Sequence, residues 1–233
     1  MTAYKRHMPR MSGEEAEKLR QFQEFVYETR GALKKEITMD AMGKKITVMH
    51  SVFFPIFSDT ASLGKAVLKE VKKGDVVLDL GTGTGIQAIL AAEKAEKVLA
   101  VDINPKAVEC AKRNAELHGF SGKIEAIKSD VFSGIQGKKF DLIAFNPPFR
   151  WFRPRDISEY GSTDENYGAL KRFFLEAKEH LNPKGKVLLV FSNTGDIEYL
   201  KELIRESGMK SEIVLENQEI DWRYYVVYRL TAQ

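Results

Sequence analysis

Apolar positions along this chain change period several times, and each change marks an element. Leu19, Phe22, Phe25 and Val26 recur at helical spacing behind Ser12-Gly13-Glu14-Glu15, which has the form of a capping box. They predict an amphipathic helix lying on the main body, preceded by a disordered or loosely docked segment at residues 1–11. Ile37-Thr38-Met39 and Ile46-Thr47-Val48 flank Asp40-Ala41-Met42-Gly43-Lys44, the pattern of a β-hairpin. Leu63, Val67, Leu68 and Val71 then predict a helix with Ser58 or Asp59 as its N-cap.

From residue 76 onward, short apolar runs alternate with helical stretches. Buried strands are expected at 76–80, 97–102, 124–127, 140–145 and 186–191. Helices fall between them: one after residue 85, one from Asn104-Pro105 to His118, one carrying Leu170, Phe173, Phe174, Ala177 and Leu181, and one marked by Ile197, Leu200, Leu203 and Ile204. Ile213 to Ile220 and Trp222 to Leu230 lack helical periodicity and read as an antiparallel pair. The alternation implies an α/β fold, a mostly parallel sheet with helices on both faces. The expected division is a helix-and-hairpin extension at 1–50 and one main domain at 51–233.

Composition narrows the class without naming a function. Hydrophobic residues make up 43% and charged residues 30% of 233, which suits one soluble domain with a proper core. No apolar run approaches the ~20 residues of a membrane span, so no membrane partner is expected. The single Cys110 forms no internal disulfide and no zinc site, and the four His have no ligand spacing. A reducing cytoplasm and no metal are therefore the expectation. His50, His118 and His180 are expected at caps or on the surface, and Cys110 packed. The net charge of +3 is concentrated in residues 1–35, which hold eight basic and five acidic side chains. That arm suits either a solvated face or a contact with phosphate.

The chemistry gathers at strand ends. Val76-Val77-Leu78-Asp79-Leu80 stops at Gly81-Thr82-Gly83-Thr84-Gly85, where alternate glycines let the backbone approach a ligand closely. Ile86 stands where a dinucleotide fingerprint needs its third glycine, and no Gly-Lys-Ser or Gly-Lys-Thr of a P-loop is present. Asp102 ends the second strand, Asp130 follows the third, and Asn146-Pro147-Pro148-Phe149 follows the fourth. In an open α/β sheet, ligands sit beyond these carboxyl ends. Two consecutive prolines make a rigid turn, so the Asn146 side-chain oxygen and the Pro147 carbonyl can face one planar NH2 group, with the Phe149 ring to stack on it.

Asp-Leu-Gly-Thr-Gly-Thr-Gly together with Asn-Pro-Pro-Phe resembles the class I S-adenosylmethionine (SAM) dependent methyltransferases that modify planar nitrogens. These include enzymes acting on adenine N6 and guanine N2 of DNA and RNA, and glutamine-N5 enzymes of the HemK type. The resemblance covers roughly residues 45–230 and implies a Rossmann-like seven-stranded sheet with SAM as methyl donor. It places Asp79, Gly81, Thr82, Gly83 and Gly85 around the donor, Asp79 near its amine. Asp102 and Ile103 then meet the ribose, and Asp130 and Val131 meet the adenine. Asn146 to Phe149 becomes the clamp on the target nitrogen, and Phe57, Asp59 and Thr60 line the outer wall.

For the target, Arg150-Trp151-Phe152-Arg153 directly follows the clamp, within a long loop to Gly168 expected to act as a lid or recognition element. Cations interleaved with aromatics suit bases and phosphates, so an RNA base is favoured. A glutamine of a translation-related protein is the alternative. The chain departs from the glutamine enzymes in two ways. They usually carry Arg and an acid in the segment before the glycine loop, and Tyr rather than Phe after Pro-Pro.

Overall fold

The computed structural model describes residues 7–31, 35–55, 58–219 and 221–232. Phe57, expected on the outer wall, lies outside the described residues, as do residues 1–6.

Seven strands form one sheet: β3 (Val76–Leu80), β4 (Lys97–Asp102), β5 (Ile124–Lys128), β6 (Phe140–Phe145), β7 (Leu181–Ser192), β8 (Lys210–Gln218) and β9 (Tyr224–Thr231). Their spatial order is β5-β4-β3-β6-β7-β9-β8, parallel except that β9 pairs antiparallel with both β7 and β8. The expected antiparallel pair is therefore present. Strand order reverses between β3 and β6, so right-handed crossovers send the helices to opposite faces. Helices α3 (Ile86–Ala92) and α4 (Pro105–Leu117) follow β3 and β4, while α5 (Gly168–Glu176) follows β6 and packs on α6 (Ile197–Ser207). Helix α2 (Ser58–Glu70) packs against α3 and the β7–β9 side. The central strands are buried on both faces, which is why they read as near-continuous apolar runs.

Several local expectations change in the folded chain. The third stretch of helical pattern ends early: α5 gives way to a 3-10 turn at Ala177–His180, and Leu181 begins β7. His180 is buried, stacks on Phe132 with ring centroids 4.2 Å apart, and hydrogen-bonds the Lys138 carbonyl, so it is an interior residue. The hairpin forms as β1 (Ile37–Ala41) and β2 (Lys44–Val48) around Met42 and Gly43, both at positive φ, the two-residue turn that matches strand twist.

The N-terminal helix α1 (Gly13–Gly31) starts at the expected capping box: the Glu15 N–H donates to Ser12 Oγ at 3.1 Å, and the Ser12 N–H returns a bond to Glu15 Oε2 at 2.8 Å. Its buried side is the expected one in part. Leu19, Gln23 and Val26 face inward, whereas Phe25 is 60% exposed. The preceding segment is docked rather than loose from His7 onward. His7 is buried among Trp151, Tyr167 and Tyr199, with Nε2 3.0 Å from Asp196 Oδ2, and the Arg10 N–H donates to the same oxygen. Period analysis sees apolar stripes, and this attachment is made by a histidine and a carboxylate.

The hairpin is fastened to the sheet domain through one fully buried amide. Asn114 Oδ1 accepts from the Thr47 N–H at 2.9 Å, and Nδ2 donates to the carbonyls of Thr47 and Thr84 at 2.7 and 2.9 Å. Cys110, packed one turn away as expected, is buried enough for its thiol pKa to rise to about 11. Asn114→Ala is expected to cost about 2–3 kcal/mol, because it strands buried backbone groups rather than merely deleting a contact. Urea unfolding should show a lower midpoint at unchanged slope.

Candidate active site

The β3–α3 turn needs backbone that only glycine adopts freely. Gly81, Gly83 and Gly85 all have positive φ, at 70°, 54° and 83°. What holds the turn is Asp79, 3% exposed at the end of β3. Its Oδ2 accepts from Thr82 Oγ1 at 2.5 Å and from the Ala88 N–H at 3.1 Å. The loop's amides are used internally: Gly81 and Thr82 donate to the Val101 carbonyl, Gly83 to Asp102 Oδ2 and Gly85 to the Thr82 carbonyl. The glycines therefore permit close approach of a ligand rather than offering it these donors.

Beside this turn lies a cavity of about 500 Å³. Asp79, Gly81, Thr82, Gly83, Asp102, Ile103, Asp130, Val131 and Asn146 line it, together with Thr60 and Pro148. Gly85 does not; it meets the α4 backbone, where an added Cβ would come within 3.0 Å of Ala111. Asp102 accepts from the N–H groups of Gly83 and Asn104, and burial pushes its pKa up. Asp130 is held by a bidentate Arg172 at 2.7 and 2.9 Å, so an adenine amine would have to share an oxygen with a guanidinium.

The cavity offers a specific acceptor that sequence reasoning missed. Gln87, in the first turn of α3, donates to the Thr60 carbonyl at 2.9 Å, while its buried Oε1 has no hydrogen-bond partner. A polar residue among Ile86, Ala88, Ile89 and Leu90 is the signal that could have found it. Next to Asp79, this orphaned oxygen fits an ammonium group, which is what the amino-acid end of SAM carries. The volume, the fixed carboxylate of Asp102 and this unpartnered acceptor together suit that cofactor.

Asn146-Pro147-Pro148-Phe149 leaves β6 at the point where strand order reverses. Asn146 Nδ2 donates to Asp59 Oδ2 at 3.1 Å, which turns Oδ1 away as a free-facing acceptor. The motif is braced from behind. The Phe149 carbonyl accepts from Tyr167 Oη at 2.7 Å, and that hydroxyl accepts in turn from the Asp196 N–H at 2.8 Å. Gly195 lies so close that a Cβ there would stand 2.1 Å from the Phe149 oxygen. Asn146, Phe53 and Gly161 also border a second, far smaller cavity of about 20 Å³ on the other side of the motif. Its walls include Phe22 and Val26 of α1, Asp59, Phe149, Arg150 and Tyr225.

The expected recognition run divides. Arg150 is 4% exposed and borders the small cavity, Trp151 is 9% exposed and packs against His7 and Tyr167, and neither stands on the surface. Phe152 is half-buried beneath Arg20, and Arg153 is exposed. Nor is the loop to Gly168 a free lid. Arg150 bridges to Thr163, and short 3-10 turns occupy Glu159–Gly161 and Glu165–Tyr167. Among the described residues, no group of His, Cys, Asp or Glu could hold a metal ion. No described helix is long and apolar enough to cross a membrane.

The methyltransferase small domain model matches residues 45–221. A relative from Methanocaldococcus jannaschii, provisionally named a protein N5-glutamine methyltransferase, is 38% identical over 157 residues, covering 63% of this chain and 76% of the relative. The tRNA1(Val) (adenine(37)-N6)-methyltransferase of Porphyromonas gingivalis is 33% identical over 122 residues, and the match spans 48% of either chain. Among solved structures, Trm5 of M. jannaschii in complex with adenosine superposes with a TM-score of 0.63 at 20% identity, over 85% of this chain and 56% of that one. That likeness speaks for the fold.

Two outcomes test the site. Gly195→Ala pushes on the Phe149 carbonyl, so transfer should fall at least about tenfold while SAM binding, read by calorimetry, stays near the parent value. Burial raises the Asp79 pKa from 3.8 to about 7, with the bonds from Thr82 and Ala88 opposing it. The neutral carboxyl is thus favoured in the folded protein, and its contribution to stability is present below 3.8 and lost as pH rises through about 7. An ammonium needs the ionised form. The thermal stabilisation given by SAM should therefore grow between about pH 5.5 and 7.5, and a constant increment would remove Asp79 from the ammonium site.

Proposed function

Since the chain belongs to the methyltransferase small domain family and is a SAM-dependent methyltransferase, we propose that its acceptor is a planar NH2 nitrogen of a macromolecule, held by Asn146 to Phe149. The observation that carries this is the Asn146–Asp59 hydrogen bond at the border of the two cavities. With Nδ2 committed to Asp59, Oδ1 and the rigidly placed Pro147 carbonyl accept the two N–H bonds of a flat amine or amide. Those bonds orient the nitrogen lone pair toward the large cavity. When bound there, SAM supplies a methyl on a cationic sulfur: the nitrogen lone pair forms the new N–C bond, the C–S pair stays with sulfur, and one N–H proton passes to solvent. No strong base is required, and positioning supplies most of the rate.

Of the two targets, a glutamine carboxamide is better supported than an RNA base. Arg150 and Trp151, which carried much of the nucleic-acid expectation, are interior residues. Helix α1, which walls the small cavity, holds five acidic side chains against three basic ones, a poor surface for phosphates. The M. jannaschii relative points the same way. The reading for RNA rests on the exposed Arg153 and on Lys18 and Arg20 lying over Trp222 and Phe152. A cytoplasmic setting in translation fits either.

Tritiated methyl-SAM, the purified protein and an extract lacking its activity form the test, with Asn146→Ala as control. The variant should lose transfer by more than about 100-fold and keep SAM binding. Equal loss of both would place Asn146 in the cofactor site instead.

A further inference from the structure

The residue directly after the clamp is a guanidinium buried without a carboxylate bonded to it. Arg150 is 4% exposed, and its hydrogen-bond acceptors among the described residues are neutral: Gln23 Oε1 takes Nε–H at 2.6 Å, and Thr194 Oγ1 lies 3.4 Å from Nη1. A guanidinium carries five N–H donors. Asp59 and Glu159 lie close enough to act on its charge through space, and the Glu159 carboxylate is bonded by Arg155. Burial pulls its pKa down to about 10, which leaves it charged at neutral pH. Burying a charge without bonding it fully is costly, and such groups concentrate where a ligand completes them. Arg150 borders the small cavity that Asn146, Pro147 and Phe149 also border.

The residue is held there by helix α1, whose apolar spacing predicts packing on the main body. Gln23 of α1 accepts from Arg150 and donates through Nε2 to Glu159 Oε1 at 2.7 Å and Ser162 Oγ at 3.2 Å. Glu159 is bonded by Arg155, which also reaches Glu24 of α1. The helix thus both closes the cavity with Phe22 and Val26 and fixes the direction of the guanidinium.

We infer that Arg150 is a specificity-determining residue which donates to an acceptor oxygen on the carbon bearing the target nitrogen, so that the pocket selects a primary carboxamide. This rests on the planar-nitrogen reading above and deepens it. A carboxamide presents one two-hydrogen donor and one oxygen acceptor on adjacent bonds. The cavity presents the complement, with Asn146 Oδ1 and the Pro147 carbonyl on one side and Arg150 on the other. An adenine amine has a ring nitrogen in place of that oxygen and brings a fused ring that the cavity would also have to admit. A phosphate would meet Arg150 but also the carboxylate of Asp59 in the same wall. Size agrees: about 20 Å³ exceeds only slightly the ~10–15 Å³ that one water requires, so entry of any target displaces Phe22, Val26 or Phe53, and far less for a carboxamide than for a purine. As the N–H bonds lean on their acceptors, electron density moves to the amide oxygen, where a fixed cation stabilises it.

The test labels an extract lacking the activity with tritiated methyl-SAM and the full chain, then hydrolyses protein and RNA separately and identifies the labelled amino acid or nucleoside. The labelled macromolecule is then assayed with Arg150→Met and Arg150→Lys. The inference expects N5-methylglutamine, a loss of about 100-fold in kcat/KM for Arg150→Met with SAM binding by calorimetry unchanged, and partial recovery with Arg150→Lys. Label in a methylated nucleoside would overturn the carboxamide assignment and leave the planar-nitrogen reading standing. Methylglutamine formed equally well by Arg150→Met would remove Arg150 from recognition. Absence of label despite SAM binding would count against the planar-nitrogen reading itself, and the inference would fall with it.

Discussion

A single buried carboxylate holds the β3–α3 turn in the shape the site requires. Asp79 is the penultimate residue of β3, in the middle of the sheet, and its bonds to Thr82 and to the Ala88 amide close a turn built from three left-handed glycines. Its carboxylate reaches both the loop and the first turn of α3. Its burial costs it part of its charge in the free protein, which is also what makes it a strong site for a cation. The residue that stabilises the local backbone therefore does so in a state waiting for a ligand, and the unpartnered Gln87 oxygen beside it has the same character.

The second half of the site depends on the strand order. Because β6 returns next to β3, Asn146 arrives at the edge of the cavity made by the glycine turn, although 60 residues separate them. Two prolines fix the path of the chain after Asn146, and three separate elements hold it in place. Asp59 of α2 takes the amide, Tyr167 takes the Phe149 carbonyl, and Gly195 leaves room for that carbonyl to pass. A site held in this way loses little entropy when the target docks, which is where positioning catalysis gets its rate.

Much of this was legible in the chain. Buried parallel strands show as apolar runs, so β3, β4, β5, β6 and β7 stood out, and the glycine turn and Asn-Pro-Pro-Phe marked two strand ends with distinctive chemistry. What escaped is as instructive. Phe25 was placed inside and lies outside, while Gln23 and His7, both polar, are buried. Hydrophobic period cannot see a polar side chain whose burial is made possible by one distant partner, and Gln23 finds Glu159 while His7 finds Asp196. Arg150 and Trp151 were misplaced for the converse reason. A cation beside aromatics reads as surface, yet the Arg150–Thr163 bridge folds the loop back so that both turn inward. Gln87 shows only as one polar residue in an apolar helical turn, and Gly195 carries no signal of its own, since its importance is a matter of what lies opposite.

These misplaced residues belong to one structure. His7, Gln23, Trp151 and Arg150 link the N-terminal segment, helix α1 and the loop after the clamp into a polar and aromatic layer behind the acceptor cavity. The matched family model begins at residue 45, so this layer draws on chain that lies before it. The large cavity is assembled mostly from the sheet and its turns, whereas the small cavity is closed by Phe22 and Val26 of α1. On the proposed assignment, changes in the N-terminal segment alter which target is accepted while leaving the donor site intact. A fold shared by enzymes for nucleobases and for glutamine needs such a separation, since one cavity must stay constant and the other must differ.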